Sequence, residues 1–263
     1  MRGDVGARVV LKESWGDFRL FRVESPAMAA EAVPGQFLMV RAGDRSDPLL
    51  RRPISLHDAA NGTLDIFFRV AGRGTAILAE KREGDALDII GPLGKGFRLD
   101  GPWKGRDAWL IGGGRGIAPL YFLGRALQAK GARVKVLYGG KTLAEIPLRD
   151  KFGTAGFSPS CATDDGSFGF SGLVTALLEN SLAAAKPDGL FVCGPDAMME
   201  KCARMALARN IPAQISLEAV MGCGFGACWG CVKRIKRGDA GEWRKICEDG
   251  PAFAAEEIVW NEA

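Results

Sequence analysis

The amino-acid sequence predicts a β domain, then an α/β domain, then a short cysteine-rich segment. Short β-branched and aromatic runs broken by Gly, Pro, Asn and Asp fill residues 5 to about 100, which is typical of an antiparallel barrel or sandwich. From residue 106 to about 217, strand-like runs alternate with helical periodicity, which predicts βαβ units around a doubly wound parallel sheet. Residues 218–263 are too few for a core of their own, so a metal centre would supply the missing stability.

Length and composition agree with this division and exclude several classes of protein. The 263 residues suffice for two ordinary domains and a small appendage, with boundaries predicted at 1–101, 102–217 and 218–263. A net charge of +4 without a basic block argues against a nucleic-acid partner. No apolar run reaches the roughly 18 residues of a membrane span. The first residues lack the apolar core of a secretory signal, so we expect a cytoplasmic protein.

The β domain carries two features suited to a nucleotide. Strands are predicted over 5–14, 18–25 and 63–70, and a further strand begins at the sequence RRPISL. There an arginine can neutralise a pyrophosphate, and a donor near Ser55 can address a flavin ring edge. A short helix is predicted from about Gly74, and its start is a second anion-binding feature. The alternative is a solvated basic strand end and an ordinary loop. The candidate cofactor residues are Arg52, Pro53, Ile54, Ser55, Arg69, Gly72, Gly74 and Thr75.

The α/β domain alternates strands and helices in a regular order. Helices are predicted over 117–131, 171–185 and 196–210, with a short helical piece near 148–152. The strands between and around them are predicted over 107–113, 132–140, 156–163, 189–194 and 212–218.

Two turns at strand ends predict a dinucleotide site. A glycine-rich turn follows the first strand, where glycine lets the backbone approach a pyrophosphate at a helix N-terminus. A second turn, Cys193–Gly194–Pro195, occupies the same position after a later strand. Ordinary tight turns and a buried cysteine are the alternative interpretation of both. The glycines of the first turn are Gly112, Gly113, Gly114 and Gly116.

Asp164 and Asp165 follow a third strand of the same domain. Carboxylates at the carboxyl edge of a sheet can accept hydrogen bonds from ribose hydroxyls. They would also repel a 2′-phosphate, which favours NAD over NADP. A solvated Asp-Asp-Gly turn is the alternative.

Four cysteines near the C-terminus have metal-ligand spacing. Cys223, Cys228 and Cys231 form a C-x4-C-x2-C loop, and Cys247 follows after fifteen intervening residues. This loop matches plant-type 2Fe–2S proteins, and its glycines let backbone N–H groups turn toward sulfur. Zinc is the main alternative, although structural zinc usually prefers paired C-x2-C turns. The remaining cysteines, Cys161, Cys193 and Cys202, lie in predicted core elements.

The order of these motifs resembles one family. RPIS, GRGT, GGGRGIAPLY, TDDGSFGFSG, CGPDAM, SLEAVMGCGFGACWGC and ICEDGPAF occur in the arrangement of the electron-transfer subunit of NAD-linked dihydroorotate dehydrogenase, within the ferredoxin reductase superfamily. The resemblance covers nearly the whole chain. It implies an FAD-binding barrel, an NAD-binding α/β domain and a C-terminal 2Fe–2S domain.

The resemblance also implies the roles of the candidate residues. FAD would contact the 52–55 segment and the turn before the short helix, and NAD would use the glycine-rich turn with the aspartates and the Cys193 turn. The cluster ligands would be the four C-terminal cysteines, with Glu218 near the flavin. Hydride exchange between flavin and nicotinamide needs no protein base, so no catalytic residue is predicted, and His57 is flavin-facing or structural.

By the same resemblance, the partner is a catalytic subunit that oxidises dihydroorotate on its own FMN. Electrons would then pass singly through the cluster to FAD and as hydride to NAD⁺, in a heterotetramer of two subunits of each kind. Two positions depart from the superfamily pattern: Ile54 stands where an aromatic residue is common, and Arg115 where a small or apolar one is usual. Reductase subunits of hydrogenase, sulfite reductase or ferredoxin transhydrogenase type share these domains, and a zinc-stabilised binding module without enzymatic activity is a further alternative.

Overall fold

The computed structural model describes residues 2–43, 47–237 and 240–260, and the chain divides into two compact units. The cysteine-rich segment is shared between the two. Unit 1 comprises Met1–Gly96, Glu218–Val232 and Lys245–Pro251. Unit 2 comprises Phe97–Leu217, Lys233–Arg244 and Ala252–Ala263. All four candidate ligand cysteines therefore belong to unit 1, with the N-terminal β domain.

Unit 1 is built on a closed antiparallel barrel of six strands in the order β1-β2-β5-β4-β3-β6. The strands are β1 (Arg2–Trp15), β2 (Phe18–Glu24), β3 (Phe37–Val40), β4 (Arg52–Ala60), β5 (Thr63–Arg69) and β6 (Ala86–Leu93). Two helices accompany them, α1 (Pro26–Glu31) and α2 (Arg73–Glu80). Closure of the sheet leaves no exposed barrel edge, so the barrel prediction is confirmed and the sandwich excluded.

Alternating side chains of the strands fill the barrel. Phe21, Leu38 and Ile66 are fully buried there, and Leu78 of α2 packs on the same cluster. Each such side chain contributes about 1.5–3 kcal/mol on burial. The alternation also decides what faces outward, because successive residues of a strand point to opposite sides.

Unit 2 contains a seven-stranded sheet in the order β10-β9-β8-β7-β11-β12-β15. Its strands are β7 (Asp107–Gly113), β8 (Arg133–Gly140), β9 (Ser160–Thr163), β10 (Phe170–Ser171), β11 (Gly189–Cys193) and β12 (Ala213–Ser216), all parallel, with β15 (Ala252–Ala254) antiparallel at the edge. Its helices are α3 (Ala118–Ala129), α4 (Arg149–Thr154), α5 (Val174–Ala184) and α6 (Asp196–Ala208). A hairpin of β13 (Val232–Arg237) and β14 (Ala240–Lys245) precedes a short helix, α7 (Ile246–Asp249).

The strand order contains a reversal at β7. The chain proceeds from β7 through β8 to β9 on one side, then places β11 and β12 on the other. Ligands of open α/β sheets bind where the order reverses, beyond the carboxyl ends of the strands. The glycine-rich turn after β7 and the Cys193 turn after β11 flank this position.

The structure differs from the sequence prediction in two elements of unit 2. The strand predicted over 156–163 is only β9, because Gly156 has a φ of +84° and Pro159 lacks the N–H that a ladder needs. The sheet is also mixed, since β15 from the C-terminal segment joins it antiparallel to β12. Among the residues that the structure describes, no helix has the length and apolarity needed to cross a membrane.

Candidate cofactor and cluster sites

Arg52 lies against the first turn of α2. A Cβ atom on Gly74 would be 2.3 Å from its Nε atom, so the guanidinium rests directly on the Gly74 backbone. Its Nη1 atom donates to the carbonyl oxygen of Leu50 at 2.6 Å. The barrel therefore places a permanent cation beside a helix N-terminus, and both favour a bound anion such as a pyrophosphate.

The side chain of Thr75 fixes the backbone at the start of α2. The Oγ1 atom of Thr75 accepts hydrogen bonds from the N–H groups of Ala71 and Gly72, at 2.9 and 3.2 Å, and donates to the carbonyl oxygen of Gly72 at 2.9 Å. This fixes the turn before the first helical N–H groups, which have no partner within the helix. Arg52 and the turn that contains Gly72, Gly74 and Thr75, predicted as two separate features, meet at one place.

The other residues predicted for FAD have different surroundings. Ile54 is 5% exposed and its side chain belongs to the barrel core, so only its backbone is available to a cofactor. Pro53 is exposed and Ser55 half-buried, and both alternate with Ile54 on β4. Arg69 forms an ion pair with Asp17 at 3.8 Å. The roles of these residues stay predictions, as does that of Glu218, which is exposed just after β12.

The two turns predicted for NAD pack directly on each other. A Cβ atom on Gly116 would lie 2.5 Å from the carbonyl oxygen of Cys193 and 2.6 Å from Cα of Gly194. Both neighbours are backbone atoms and cannot give way, so only glycine fits. Pro195 follows at 3.0 Å from the Cβ position of Gly113. The structure thus brings both turns to the crevice where the strand order reverses.

Sequence reasoning missed a residue that joins these turns. Met198, on the first turn of α6, lies 2.6 Å (Sδ) from the Cβ position of Gly113 and 2.7 Å (Cε) from that of Gly194. Its side chain fills the space that the missing Cβ atoms leave between the turns. The motif CGPDAMME contains it, but nothing in its spacing separates Met198 from a core methionine.

Asp164 and Asp165 are exposed at the carboxyl end of β9, two strands from β7. Ser167 donates to Oδ1 of Asp165 from its hydroxyl at 2.6 Å and from its backbone N–H at 3.0 Å. These hydrogen bonds, the hydroxyl one first, lower the pKa of Asp165 below its ordinary value. The loop therefore presents a fixed negative charge on the same edge as the glycine-rich turn.

An exposed aromatic ring follows these aspartates and was also missed. Phe168 is 41% exposed, and the guanidinium of Arg149 lies over its ring at 5.3 Å from the centroid. The hydroxyl of Thr163 donates to its carbonyl and accepts from its N–H, each at 2.9 Å. The loop thus holds one flat apolar surface beside the two carboxylates.

The four candidate ligand cysteines stand as two neighbouring pairs. Cys223 and Cys228 form one hydrogen-bonded pair, and Cys231 and Cys247 form the other. The N–H of Cys247 points at Sγ of Cys231 at 3.4 Å, and the N–H of Gly226 at Sγ of Cys247 at 3.2 Å. Within the described ranges, no three His, Cys, Asp or Glu side chains already stand in a metal-binding arrangement.

Backbone donors favour the thiolate form at one end of this group. Burial alone would raise the pKa of the Cys223 thiol, but hydrogen bonds from three backbone N–H groups and from the Cys228 thiol lower it to about 6. The three backbone donors belong to Phe225, Ala227 and Cys228. At the other end, burial and the hydrogen bond with Cys231 raise the pKa of Cys247 to about 12, and the charge of Cys223 adds to this, so the two pairs lie within electrostatic reach.

The cysteine loop rests on the outer side of the barrel. A Cβ atom on Gly224 would be 2.4 Å from Cγ of Met39, a fully buried residue of β3. Met39 is paired across the sheet with Pro53 of β4, in the segment predicted to contact FAD. Near Cys247, the carbonyl of Gly250 accepts a hydrogen bond from the N–H of Lys95 at 2.5 Å. The loop that carries Cys223 and the residues just after Cys247 are therefore both attached to the rest of unit 1.

Two large side chains beside the cysteines are exposed rather than packed. Phe225 is 45% and Trp229 57% exposed, so core packing does not explain them. Lys245 covers one face of the Trp229 ring, with Nζ 4.8 Å from the centroid. The apolar surface around the cysteines thus faces solvent in the isolated chain.

The chemistry of the donor set fits a 2Fe–2S cluster. The four thiols form two pairs, and backbone N–H groups point at Cys223, Cys231 and Cys247, as in sites where such hydrogen bonds tune a cluster. Four thiols also satisfy zinc, which needs no such pattern of amide donors.

Comparison with known proteins points to one family. The family model described as the iron-sulfur cluster binding domain of dihydroorotate dehydrogenase B matches residues 218–259. A dihydroorotate dehydrogenase B (NAD(+)) electron transfer subunit from Desulforamulus reducens is 39% identical over 240 residues, which cover 90% of this chain and 91% of that protein. The corresponding subunit from Shouchella clausii is 43% identical over 86% of each chain.

Solved structures show the same architecture. A chain from the NADH-dependent reduced ferredoxin-NADP oxidoreductase, a structure described for flavin-based electron bifurcation, aligns with a TM-score of 0.85 and 30% identity over 99% of this chain and 92% of that one. A ferredoxin NADP⁺ reductase from Neisseria gonorrhoeae with bound FAD and NADP aligns with a TM-score of 0.66 over 79% of this chain and 92% of that one. At 18% identity, the second likeness shows the fold alone.

Proposed function

Because the chain belongs to the electron-transfer subunits of NAD-dependent dihydroorotate dehydrogenase B, we propose that it passes electrons from a catalytic subunit through a 2Fe–2S cluster and FAD to NAD⁺. As a member of this family it is an oxidoreductase subunit of that complex. The proposal concerns the identity of the two bound groups, the residues that hold them, and the FMN of the partner.

One observation carries the proposal. The loop with Cys223 and Cys228 packs through Gly224 on Met39, whose strand partner is Pro53 in the flavin segment. A cluster on these cysteines and a flavin on this segment would share one side of the barrel, which suits transfer between them. A zinc site that only stabilises a binding module does not need to lie beside a nucleotide-binding strand.

In this proposal the chain binds and orients the groups that carry the redox chemistry. Arg52 and the N-terminus of α2 would hold the FAD pyrophosphate, and the four cysteines the cluster. The turn at Gly112–Gly116 would hold the NAD pyrophosphate, with Asp165 on a ribose. When bound, the cluster supplies single-electron chemistry, and the flavin couples it to two-electron chemistry.

The name of the family implies a catalytic partner, and we propose that this partner contains FMN and that the complex has two subunits of each kind. The exposed Phe225 and Trp229 surround the cysteines, where electrons would enter from outside the chain. Aromatic side chains are enriched in the buried centres of protein interfaces, so this surface suits contact with the catalytic subunit.

The reductase of ferredoxin transhydrogenase type is the main rival, since a structure of that kind aligns with a TM-score of 0.85. Its sequence identity of 30% is lower than the 39–43% of the dihydroorotate dehydrogenase subunits. Fold alone does not decide the partner, because related folds host many functions. The identity of the partner's substrate is therefore what an experiment has to test.

The first test is the response of the isolated complex to dihydroorotate. The chain is purified anaerobically with the partner that it retains, and its visible spectrum is recorded before and after dihydroorotate is added. We expect flavin and cluster bands to bleach, because electrons from the substrate reach both groups. NAD⁺ should then restore the bands.

A complex that ignores dihydroorotate but bleaches with NADH would contradict the assigned partner and preserve the flavin and cluster. A colourless complex that contains zinc would contradict the 2Fe–2S cluster itself.

Replacing Asp164 and Asp165 by asparagine is expected to raise the use of NADPH relative to NADH. The wild-type carboxylates carry the same charge sign as a 2′-phosphate and repel it, and asparagine removes this repulsion. We expect the ratio of kcat/KM for NADPH to that for NADH to rise on the order of tenfold or more. The measurement is steady-state oxidation of both nucleotides with an artificial dye.

Asp107→Asn serves as the control for this pair. Asp107 forms an ion pair with Arg133 at the opposite end of β7, 2.6 Å away, so its replacement should leave the nucleotide preference unchanged. An unchanged preference in the Asp164→Asn, Asp165→Asn variant would remove both aspartates from the ribose site.

A further inference from the structure

Lys245 makes three separate contacts within the cysteine-rich part of unit 1. Its Nζ atom donates to the carbonyl oxygen of Gly226 at 3.0 Å, lies over the Trp229 ring at 4.8 Å and forms an ion pair with Glu248. The side chain is only 17% exposed. Exposed ion pairs of this spacing contribute little to stability, but this cation is largely covered and has a partner on three sides.

These contacts join the two segments that carry the cysteines. Gly226 and Trp229 lie in the loop with Cys228, whereas Lys245 and Glu248 flank Cys247. A Cβ atom on Gly226 would be 2.7 Å from Oε2 of Glu248, so the carboxylate lies directly against the backbone of the loop. The ion pair therefore bridges loop and helix beside the thiols.

The bridge also acts on a hydrogen bond to sulfur. The same residue, Gly226, accepts from Lys245 through its carbonyl and donates to Sγ of Cys247 through its N–H, at 3.2 Å. A cation on the carbonyl side polarises the neighbouring peptide groups and fixes their orientation. Hydrogen bonds to cluster sulfurs, nearby charge and solvent exposure are what set the reduction potential of an iron–sulfur cluster.

We propose that the Lys245–Glu248 ion pair positions the cysteine loop and sets the reduction potential of the cluster bound there. This inference rests on the 2Fe–2S cluster of the proposed function. Reduction adds negative charge to a cluster, so the ammonium group raises its potential and the carboxylate lowers it. Both groups lie beside Gly226, so their opposite effects on the potential partly cancel. The ion pair also joins the loop to helix α7.

The test uses the complete complex with three single variants and one double variant. They are Lys245→Met, Lys245→Arg, Glu248→Gln and Lys245→Met combined with Glu248→Gln. The midpoint potential of the cluster is measured in an anaerobic redox titration followed by electron paramagnetic resonance. The rate of cluster loss under a chelator is measured separately from the decay of the visible bands.

We expect opposite shifts from the two charge deletions. Lys245→Met should make the potential more negative and Glu248→Gln more positive, and the double variant should lie between them. Lys245→Arg keeps the charge but not the fit to the Gly226 carbonyl, so its potential should stay closer to the wild-type value than that of Lys245→Met, while it loses its cluster several-fold faster than the wild type. This pattern is expected only if the ion pair acts on the cluster through its charges and also positions the cysteine loop.

Equal potentials in the wild type, Lys245→Met and Glu248→Gln would overturn the inference while the cluster signal of the wild type still supports the proposed function. A wild-type complex without that signal would overturn the proposed function first. If Lys245→Met does not assemble a cluster, the inference is decided by Glu248→Gln, whose potential must rise.

Discussion

Replacing Cys228 by serine is expected to stop electron transfer from dihydroorotate to NAD⁺ while the oxidation of NADH by an artificial dye continues. Cys228 is the exposed member of its thiol pair, so serine fits without disturbing packing. A hydroxyl is a poor ligand for iron. Loss of a side chain that hydrogen-bonds to a metal ligand costs about 10–100-fold in metal affinity or activity, so loss of the ligand itself should cost more.

Dye reduction should need only the residues predicted for NAD and FAD, none of which lies in the loop from Cys223 to Cys231. The measurement compares both activities with the iron content of the same preparation. Cys202→Ala is the matched control, because it removes a fully buried thiol of α6 outside the cysteine-rich segment and should keep the cluster. Normal transfer from dihydroorotate in the serine variant would show that electrons bypass the cluster.

The elements that could be predicted from sequence are those with a strong local pattern. The buried run Asp107–Gly113 and the helix over Ala118–Ala129 follow from apolar periodicity and a glycine stop. Strand β3 was missed because four residues carry too little pattern. Strand β15 was missed because three residues form a strand only through their pairing with β12.

The candidate sites divide in the same way. Residue types and spacing single out the cysteines and the glycine-containing turns as candidates, since that chemistry depends on local sequence. Spacing could not show that Arg52 rests on Gly74, or that Lys245 reaches Gly226, because these contacts join segments that only the tertiary fold brings together. The fold also gives a physical role to one departure from the superfamily pattern, because the Ile54 side chain belongs to the barrel core.

Replacing Arg52 by alanine is expected to weaken the binding of FAD. Its guanidinium is held against the first turn of α2, where a pyrophosphate would meet both a cation and free helical N–H groups. Truncating one partner of such a charged hydrogen-bonded pair costs roughly 2–5 kcal/mol. FAD binding should therefore weaken by at least about 30-fold, measured from the flavin absorbance retained after dilution and gel filtration.

Arg51→Ala is the control, because the Arg51 guanidinium donates to the carboxylate of Asp88 at 2.7 Å and does not lie against α2. A second variant separates the cation from general loss of structure. In Gly74→Ala the new Cβ would lie 2.3 Å from Nε of Arg52, so the guanidinium must move while the barrel core is untouched. FAD binding should fall in this variant with little change in Tm. Full FAD retention in both Arg52→Ala and Gly74→Ala would place the pyrophosphate elsewhere on the barrel.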